Sequence, residues 1–277
     1  MEIFLRIIII LSLAYVSVCV IYFLFQENFI FVPTISTDSF EIRLSTSTEE
    51  FFLDTPLGGK IHAIQLSVNK PRGLVFYLHG NTGSLKRWQF MAEEVSGYGF
   101  DVFVMDYRGY GQSHGQRSEA RMHRDVEFCF DFITKKFPDL PVIIYGRSLG
   151  SGFATRLASR RLASGLVLET PFYNLVDVAR SYLPFFPVDT LIRYKMRSDL
   201  YLNHVDYPVH IFHGTKDKVV RYSSAFKLFN KSKSKGNVQM TTLVGGKHGN
   251  LNTFPLFRER LSAFFSEVLL LNSHRSA

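Results

Sequence analysis

The amino-acid sequence predicts an α/β fold, a mainly parallel sheet with helices on both faces, preceded by one apolar N-terminal helix. Three observations predict it: short apolar runs recurring along the chain, amphipathic stretches of helical length between them, and a 20-residue stretch near the start without a charge. Strands covered on both faces read as unbroken apolar runs, and Leu74–Leu78, Val102–Met105, Val142–Tyr145, Leu166–Leu168 and Val209–Phe212 all do. Helical stretches fit at 85–97, 118–136, 149–161, 222–231 and 254–271. Strand and helix in alternation imply parallel pairing through crossovers. A chain of 277 residues, 46% apolar and 20% charged, has enough apolar sequence for one substantial core and excludes a disordered or fibrous protein.

In chain order the first element is Ile7–Gln26, which contains no Asp, Glu, Lys or Arg. Its length matches a helix crossing a hydrocarbon core of about 30 Å. A cleaved signal peptide would be shorter and end on small residues, whereas here the apolar sequence continues through Val20–Phe25 to Phe29–Phe31 with no A-x-A-like site. Cys19 follows Val16-Ser17-Val18, too bulky a context for lipoprotein acylation. A soluble helix of this length would show a polar face. Residues 1–33 are therefore expected to be a signal-anchor and 34–277 a single domain. Arg6 and the α-amino group stand against Glu2 before the span, and Arg43 is the next positive residue after it. The positive-inside rule then predicts a cytoplasmic N-terminus, with the domain on a lumenal or periplasmic side.

The formal net charge is +8; residues 1–33 carry −1 (Glu2, Arg6, Glu27), which leaves +9 on the remainder. Arg193, Lys195, Arg197 and Lys227, Lys231, Lys233, Lys235 form local clusters without any base-reading motif, so no nucleic-acid partner is expected. Anionic lipid beside the anchor is the partner such charge suits. Cys19 and Cys129 fall in different elements and are not expected to pair; no Cys/His spacing suggests a metal, and no cofactor is expected. Asn230-Lys231-Ser232 fits a glycosylation acceptor in a eukaryotic lumen.

After the anchor, Phe40–Leu44 and Lys60–Val68 alternate, with short Glu50–Leu53 and the Gly58-Gly59 turn between them, an antiparallel opening to the sheet. Residues 171–208 break the strand–helix rhythm. They are rich in Phe, Tyr and Leu and interrupted by Pro184 and Pro187, which suits a small apolar cap over a pocket.

The chemistry centres on Gly146-Arg147-Ser148-Leu149-Gly150, directly after one predicted strand and before a helix. G-x-S-x-G in that context is a nucleophile elbow, a sharp turn presenting Ser148 Oγ at the carboxyl end of the sheet. Asp217, after the strand Val209–Phe212, offers a carboxylate, and His248, after the strand around Val238–Val244, offers an imidazole. Serine, acid, histidine is the chain order of an α/β-hydrolase triad, with His248 as the base and Asp217 holding its tautomer. Tyr77-Leu-His79-Gly80-Asn81-Thr-Gly83 is a candidate oxyanion loop, with backbone N–H groups of Asn81 and Leu149 as the expected donors. His79 is read as positioning that loop. Glu169, at the next strand end, is the alternative acid, and Asp106–Ser113 is read as a structural turn.

Those motifs, together with Met105-Asp-Tyr-Arg-Gly-Tyr-Gly-Gln-Ser113, His213-Gly-Thr-Lys-Asp217 and the anchor, resemble the bud-emergence-type branch of the α/β hydrolases over nearly the whole chain. Thr82 stands where relatives often have Ala, and Ser151 where they often have another small residue or Gly. The resemblance implies a single-pass membrane serine hydrolase with Ser148, Asp217 and His248 as triad. The expected activity is cleavage of a carboxylic ester or thioester, of an acyl lipid or other apolar substrate, through an acyl-enzyme on Ser148. A membrane-bound serine peptidase or amidase and a non-catalytic binding module are the alternatives. Ser148 in the nucleophile position argues against the dehalogenases and epoxide hydrolases of this fold, which use an aspartate.

Overall fold

The computed structural model describes residues 1–35, 44 and 46–275; the strand expected over Phe40–Leu44 lies, apart from Leu44, outside the described residues. The chain opens with one uninterrupted helix, α1 (Glu2–Ile30), long and apolar enough to cross a membrane. It passes into β1 (Val32–Pro33), and later into the hairpin of β2 (Ser47–Thr55) and β3 (Gly59–Ser67), turned at Gly58 with φ +66°. The alternating units follow: β4 (Leu74–Leu78), β5 (Thr82–Gly83), α2 (Leu85–Ser96), β6 (Asp101–Met105), α3 (Glu119–Lys136), β7 (Val142–Arg147), α4 (Leu149–Ala158) and β8 (Gly165–Glu169). Three short helices, α5 (Leu175–Tyr182), α6 (Val188–Leu191) and α7 (Ser198–Tyr201), occupy the aromatic interval that the sequence reads as a cap. The chain closes with β9 (Val209–Gly214), α8 (Tyr222–Ser232), β10 (Val238–Leu243) and α9 (Pro255–Arg275).

Among the described residues the main sheet has eight strands in the order β10-β9-β8-β7-β4-β6-β3-β2. Pairing is parallel from β10 to β6 and antiparallel for β6-β3 and β3-β2. The opening strand β2 is longer than the Glu50–Leu53 segment read from sequence. Its register with β3 runs unbroken from Ser47↔Ser67 to Thr55↔Gly59, so backbone pairing carries it past its apolar residues. Alternation places Leu74, Phe76 and Leu78 of β4 on one side, with Phe103, Phe130 and Phe153. Val75 and Tyr77 face the other side, with Val102, Phe212 and Phe264. Both faces of the sheet are thus covered by helices, as continuous apolar strands require.

Two connections position the site. β1 pairs in parallel with β5, Val32 N–H donating to Asn81 O at 2.9 Å and Thr34 N–H to Gly83 O at 2.8 Å. The end of α1 is fastened to the α6–α7 segment through Gln26, the fully buried residue of that helix. Gln26 Nε2 donates to Leu191 O at 3.0 Å, and Gln26 Oε1 accepts from Arg193 N–H at 2.7 Å. Glu27 accepts from Tyr194 OH at 2.8 Å and pairs with Arg193 at 3.2 Å.

The Asp106–Ser113 turn is structural, as its sequence suggests. Arg108 is fully buried and bidentate to Asp125, with Nη2 to Oδ1 at 2.8 Å. Ser113 Oγ donates to Asp106 O and accepts from His62 N–H, both at 2.9 Å. Several residues of the basic clusters meet carboxylates: Lys227 with Asp177 at 3.2 Å, Arg197 with Asp199 at 2.8 Å and Lys235 with Asp206 at 2.7 Å. Cys19 lies on α1 and Cys129 is buried in α3, neither in a disulfide.

Candidate active site

Ser148 stands between β7 and α4 with φ 51° and ψ −117°, a left-handed conformation that a side chain adopts only under constraint. The constraint is packing. A Cβ on Gly146 would lie 2.4 Å from Ala154 Cβ, and one on Gly150 would lie 1.9 Å from Leu78 O. The turn closes because these two positions carry no side chain. Ser148 N–H donates to Glu169 O at 2.9 Å, so the elbow is also tied to the end of β8.

The structure brings the other two candidates to this hydroxyl. His248 Nε2 is 2.9 Å from Ser148 Oγ, and His248 Nδ1 is 2.7 Å from Asp217 Oδ2. Asp217 Oδ1 accepts from Val219 N–H at 2.8 Å and Val220 N–H at 3.0 Å, which fixes the carboxylate plane. Burial opposes the charge on Asp217. Contacts from His213 and His248 outweigh that burial and hold the carboxyl well below the usual carboxylate range. His213, fully buried, places Nε2 2.9 Å from Val220 O and 3.3 Å from Asp217 Oδ2. Sequence reasoning missed this second imidazole beside the acid, although the i, i+4 spacing of His213 and Asp217 was visible.

Glu169 is placed elsewhere. Its Oε2 accepts from Tyr145 OH at 2.7 Å and its Oε1 lies 3.3 Å from Arg147 Nε, while the guanidinium lies over the Trp88 ring at 5.4 Å. Burial acts against the Arg147 cation, but Glu169 beside it pushes its pKa still higher. The register explains the pairing, because Arg147 is directly opposite Glu169 across β7 and β8. His79 is fully buried, with Nδ1 2.7 Å from Gly80 O and Nε2 3.2 Å from Asp106 Oδ1. Asn81 O accepts from Tyr110 OH at 2.7 Å as well as from Val32. The loop carrying Asn81 is therefore held at several points.

A cavity of about 480 Å³ opens at Ser148 and is lined by Asn81, Leu149, Phe172, Leu175, Val178, Ala179, Tyr182, Leu183, Ile192, Val219 and Val220. Tyr22, Phe29 and Ile30 of α1 complete it. The sequence did not single these three out, because every residue of an apolar span looks alike; the signal was the amide of Gln26 inside that span. The volume falls within the range of about 300–1,000 Å³ usual for small-molecule sites. Both expected oxyanion donors, Asn81 and Leu149, border the cavity that holds the serine.

A family model described as Serine aminopeptidase, S33 matches residues 69–187. Lysophosphatidylserine lipase ABHD12 of Danio rerio is 33% identical over 220 residues, 69% of this chain and 57% of that protein. The Rattus norvegicus protein of the same name is 34% identical over 190 residues, 60% of this chain and 46% of the relative. The chain thus spans about half the length of these curated relatives. Among solved structures, Pyrococcus furiosus esterase Pf2001 superposes with a TM-score of 0.70 at 18% identity, covering 85% of this chain and 98% of the esterase. Est1E from Butyrivibrio proteoclasticus superposes with a TM-score of 0.62 at 19% identity, covering 79% and 98%. The chain has the α/β-hydrolase fold.

Proposed function

We propose that this protein is a membrane-anchored serine hydrolase that cleaves carboxylic esters of acyl lipids, with Ser148 as nucleophile, His248 as general base and acid, and Asp217 as its orienting carboxylate. The observation that carries the reading is the continuous relay of Asp217, His248 and Ser148, at 2.7 and 2.9 Å, opening into an apolar cavity. With Nδ1–H donated to an ionised Asp217, Nε2 is free to accept the Ser148 proton. The alkoxide then attacks the ester carbonyl, and the resulting oxyanion is held by the N–H groups of Asn81 and Leu149. Collapse breaks the bond to the alcohol, which leaves with the proton from His248. Water, deprotonated by His248, then attacks the acyl-enzyme and releases the fatty acid, restoring Ser148.

The names of the ABHD12 relatives support a lipid ester, with lysophospholipids as the first substrates to test. The match to an aminopeptidase family supports an amide reading on sequence alone. An aminopeptidase needs a carboxylate near the scissile bond to receive the substrate's ammonium group, and the described residues lining the cavity include none. Residues 1–33 are read as the anchor, 34–277 as the hydrolase domain and 171–208 as its cap, with the N-terminus in the cytoplasm. The full chain in lipid is expected to hydrolyse lysophospholipids and p-nitrophenyl acyl esters, and Ser148→Ala to lose at least about 10³-fold in kcat. Retained turnover in that variant would refute the assignment.

A further inference from the structure

The residues of α1 that are covered at all include Cys19, Tyr22, Gln26 and Ile30, spaced three or four apart and so on one face of the helix. Its other side is open: Phe23, Leu24 and Phe25 are 42%, 59% and 52% exposed. Within the covered stripe Gln26 is sealed to the α6–α7 segment at both ends of its amide. One turn before it stands Tyr22, and one turn after it stand Ile30 and Phe29, the latter 68% exposed, all three bordering the cavity of Ser148. Helix α5 contributes Leu175 and Val178 to the lining of the same cavity. The next residue, Phe31, is 2% exposed and packs edge-on against Tyr194 at 4.9 Å between ring centres. Val32 then bonds to Asn81 O, so the chain runs from cavity wall to oxyanion loop within three residues.

We propose that Tyr22, Phe29 and Ile30 determine acyl-chain selectivity, the acyl chain lying between α1 and α5, so that the helix that anchors the protein is also one wall of its substrate site. The proposal rests on the serine-hydrolase reading above. A tether needs only length and hydrophobicity, and it has no requirement for a buried, doubly bonded amide. A wall does, because a cavity bounded by a helix that rocks has no fixed depth. The apolar character of the three side chains suits a hydrocarbon chain, and burial of each methylene gives such a wall its leverage over chain length.

The test uses the full chain in lipid nanodiscs and p-nitrophenyl esters from butyrate to palmitate. Ile30→Trp fills space in the cavity and is expected to lower the ratio of kcat/KM for dodecanoate to that for butyrate by about tenfold, the scale on which apolar pockets discriminate size. Phe29→Ala and Tyr22→Ala, which open the same wall, are expected to move the preferred length upward. Leu11→Trp, on the exposed part of α1, is expected to keep the wild-type ratio. Fluorophosphonate labelling of each variant reports whether Ser148 remains assembled. Variants that label normally yet share the wild-type length profile overturn the proposal, and Phe29→Ala supplies that test if Ile30→Trp does not fold. A wild-type protein that neither labels nor hydrolyses any ester overturns the hydrolase reading instead.

Discussion

Single side chains in this molecule are constrained by what surrounds them, and two imidazoles illustrate opposite outcomes. His248 is placed between a serine hydroxyl and a carboxylate held ionised, where a proton can be taken and returned. His210, on the same sheet, is buried beside Phe212 at 4.3 Å between ring centres, with Nε2 2.8 Å from Thr241 Oγ1. Burial there pushes its pKa down to about 4, against about 6.5 for an unfolded histidine. The folded state therefore prefers neutral His210, while the unfolded state binds a proton below pH 6.5. Its contribution to stability is full above about pH 6.5 and is lost as pH falls towards 4, on the order of 3 kcal/mol in all. Thermal unfolding of the wild type and His210→Gln checks this: the variant should show a flatter decline in Tm across that window, and parallel curves would refute it. At this scale the sequence was most legible where a residue is placed by its own local turn. Ser148 follows β7 directly, and Asp217 and His248 sit in the short loops that follow β9 and β10, so their positions could be read in series. The Arg147–Glu169 pair could not, because it arises from the lateral register of two strands 22 residues apart.

Among elements, the shortest have the largest consequence for the site. β1 and β5 are two residues each, yet their pairing ties the segment leaving α1 to the proposed oxyanion loop at Asn81 and Gly83. No periodicity can announce a two-residue strand, and the contact joins positions about fifty residues apart, so it was absent from the sequence reading. β2, by contrast, was visible but truncated, since the polar residues at its ends are held by pairing alone. The alternating core of parallel strands and helices was legible throughout because burial on both faces leaves unbroken apolar runs. The clamp can be tested with Val32→Pro, which removes the donor to Asn81 O. Phe31 already has φ −116° and ψ 114°, the extended conformation favoured before a proline. Loosening the oxyanion loop should lower kcat by about tenfold with little change in KM, because the donors it carries act chiefly in the transition state. Steady-state kinetics on a single ester settle it, and an unchanged kcat would show that β1 does not hold the loop.

At the scale of the whole molecule, the apolar helix α1, the short helix α5 and the loop after β7 converge on one cavity. The basic clusters are weaker patches than the sequence suggests, because several of their residues pair with neighbouring carboxylates. The more exposed of these, Lys227 with Asp177 and Lys235 with Asp206, contribute little to stability. Topology rests on a small asymmetry, since Arg6 is itself paired with Glu2 at 3.0 Å. With the N-terminus in the cytoplasm, a C-terminal tag should survive external protease in sealed microsomes; its digestion would reverse the orientation. The central claim is more direct: one serine, in one cavity, forms the acyl-enzyme. Treating the full-length protein in native membranes with a fluorophosphonate and mapping the adduct by peptide mass spectrometry tests it. A single adduct on Ser148, abolished in Ser148→Ala together with lipid-ester hydrolysis, is the predicted result. A properly folded protein without that adduct, or ester hydrolysis surviving the substitution, would contradict it.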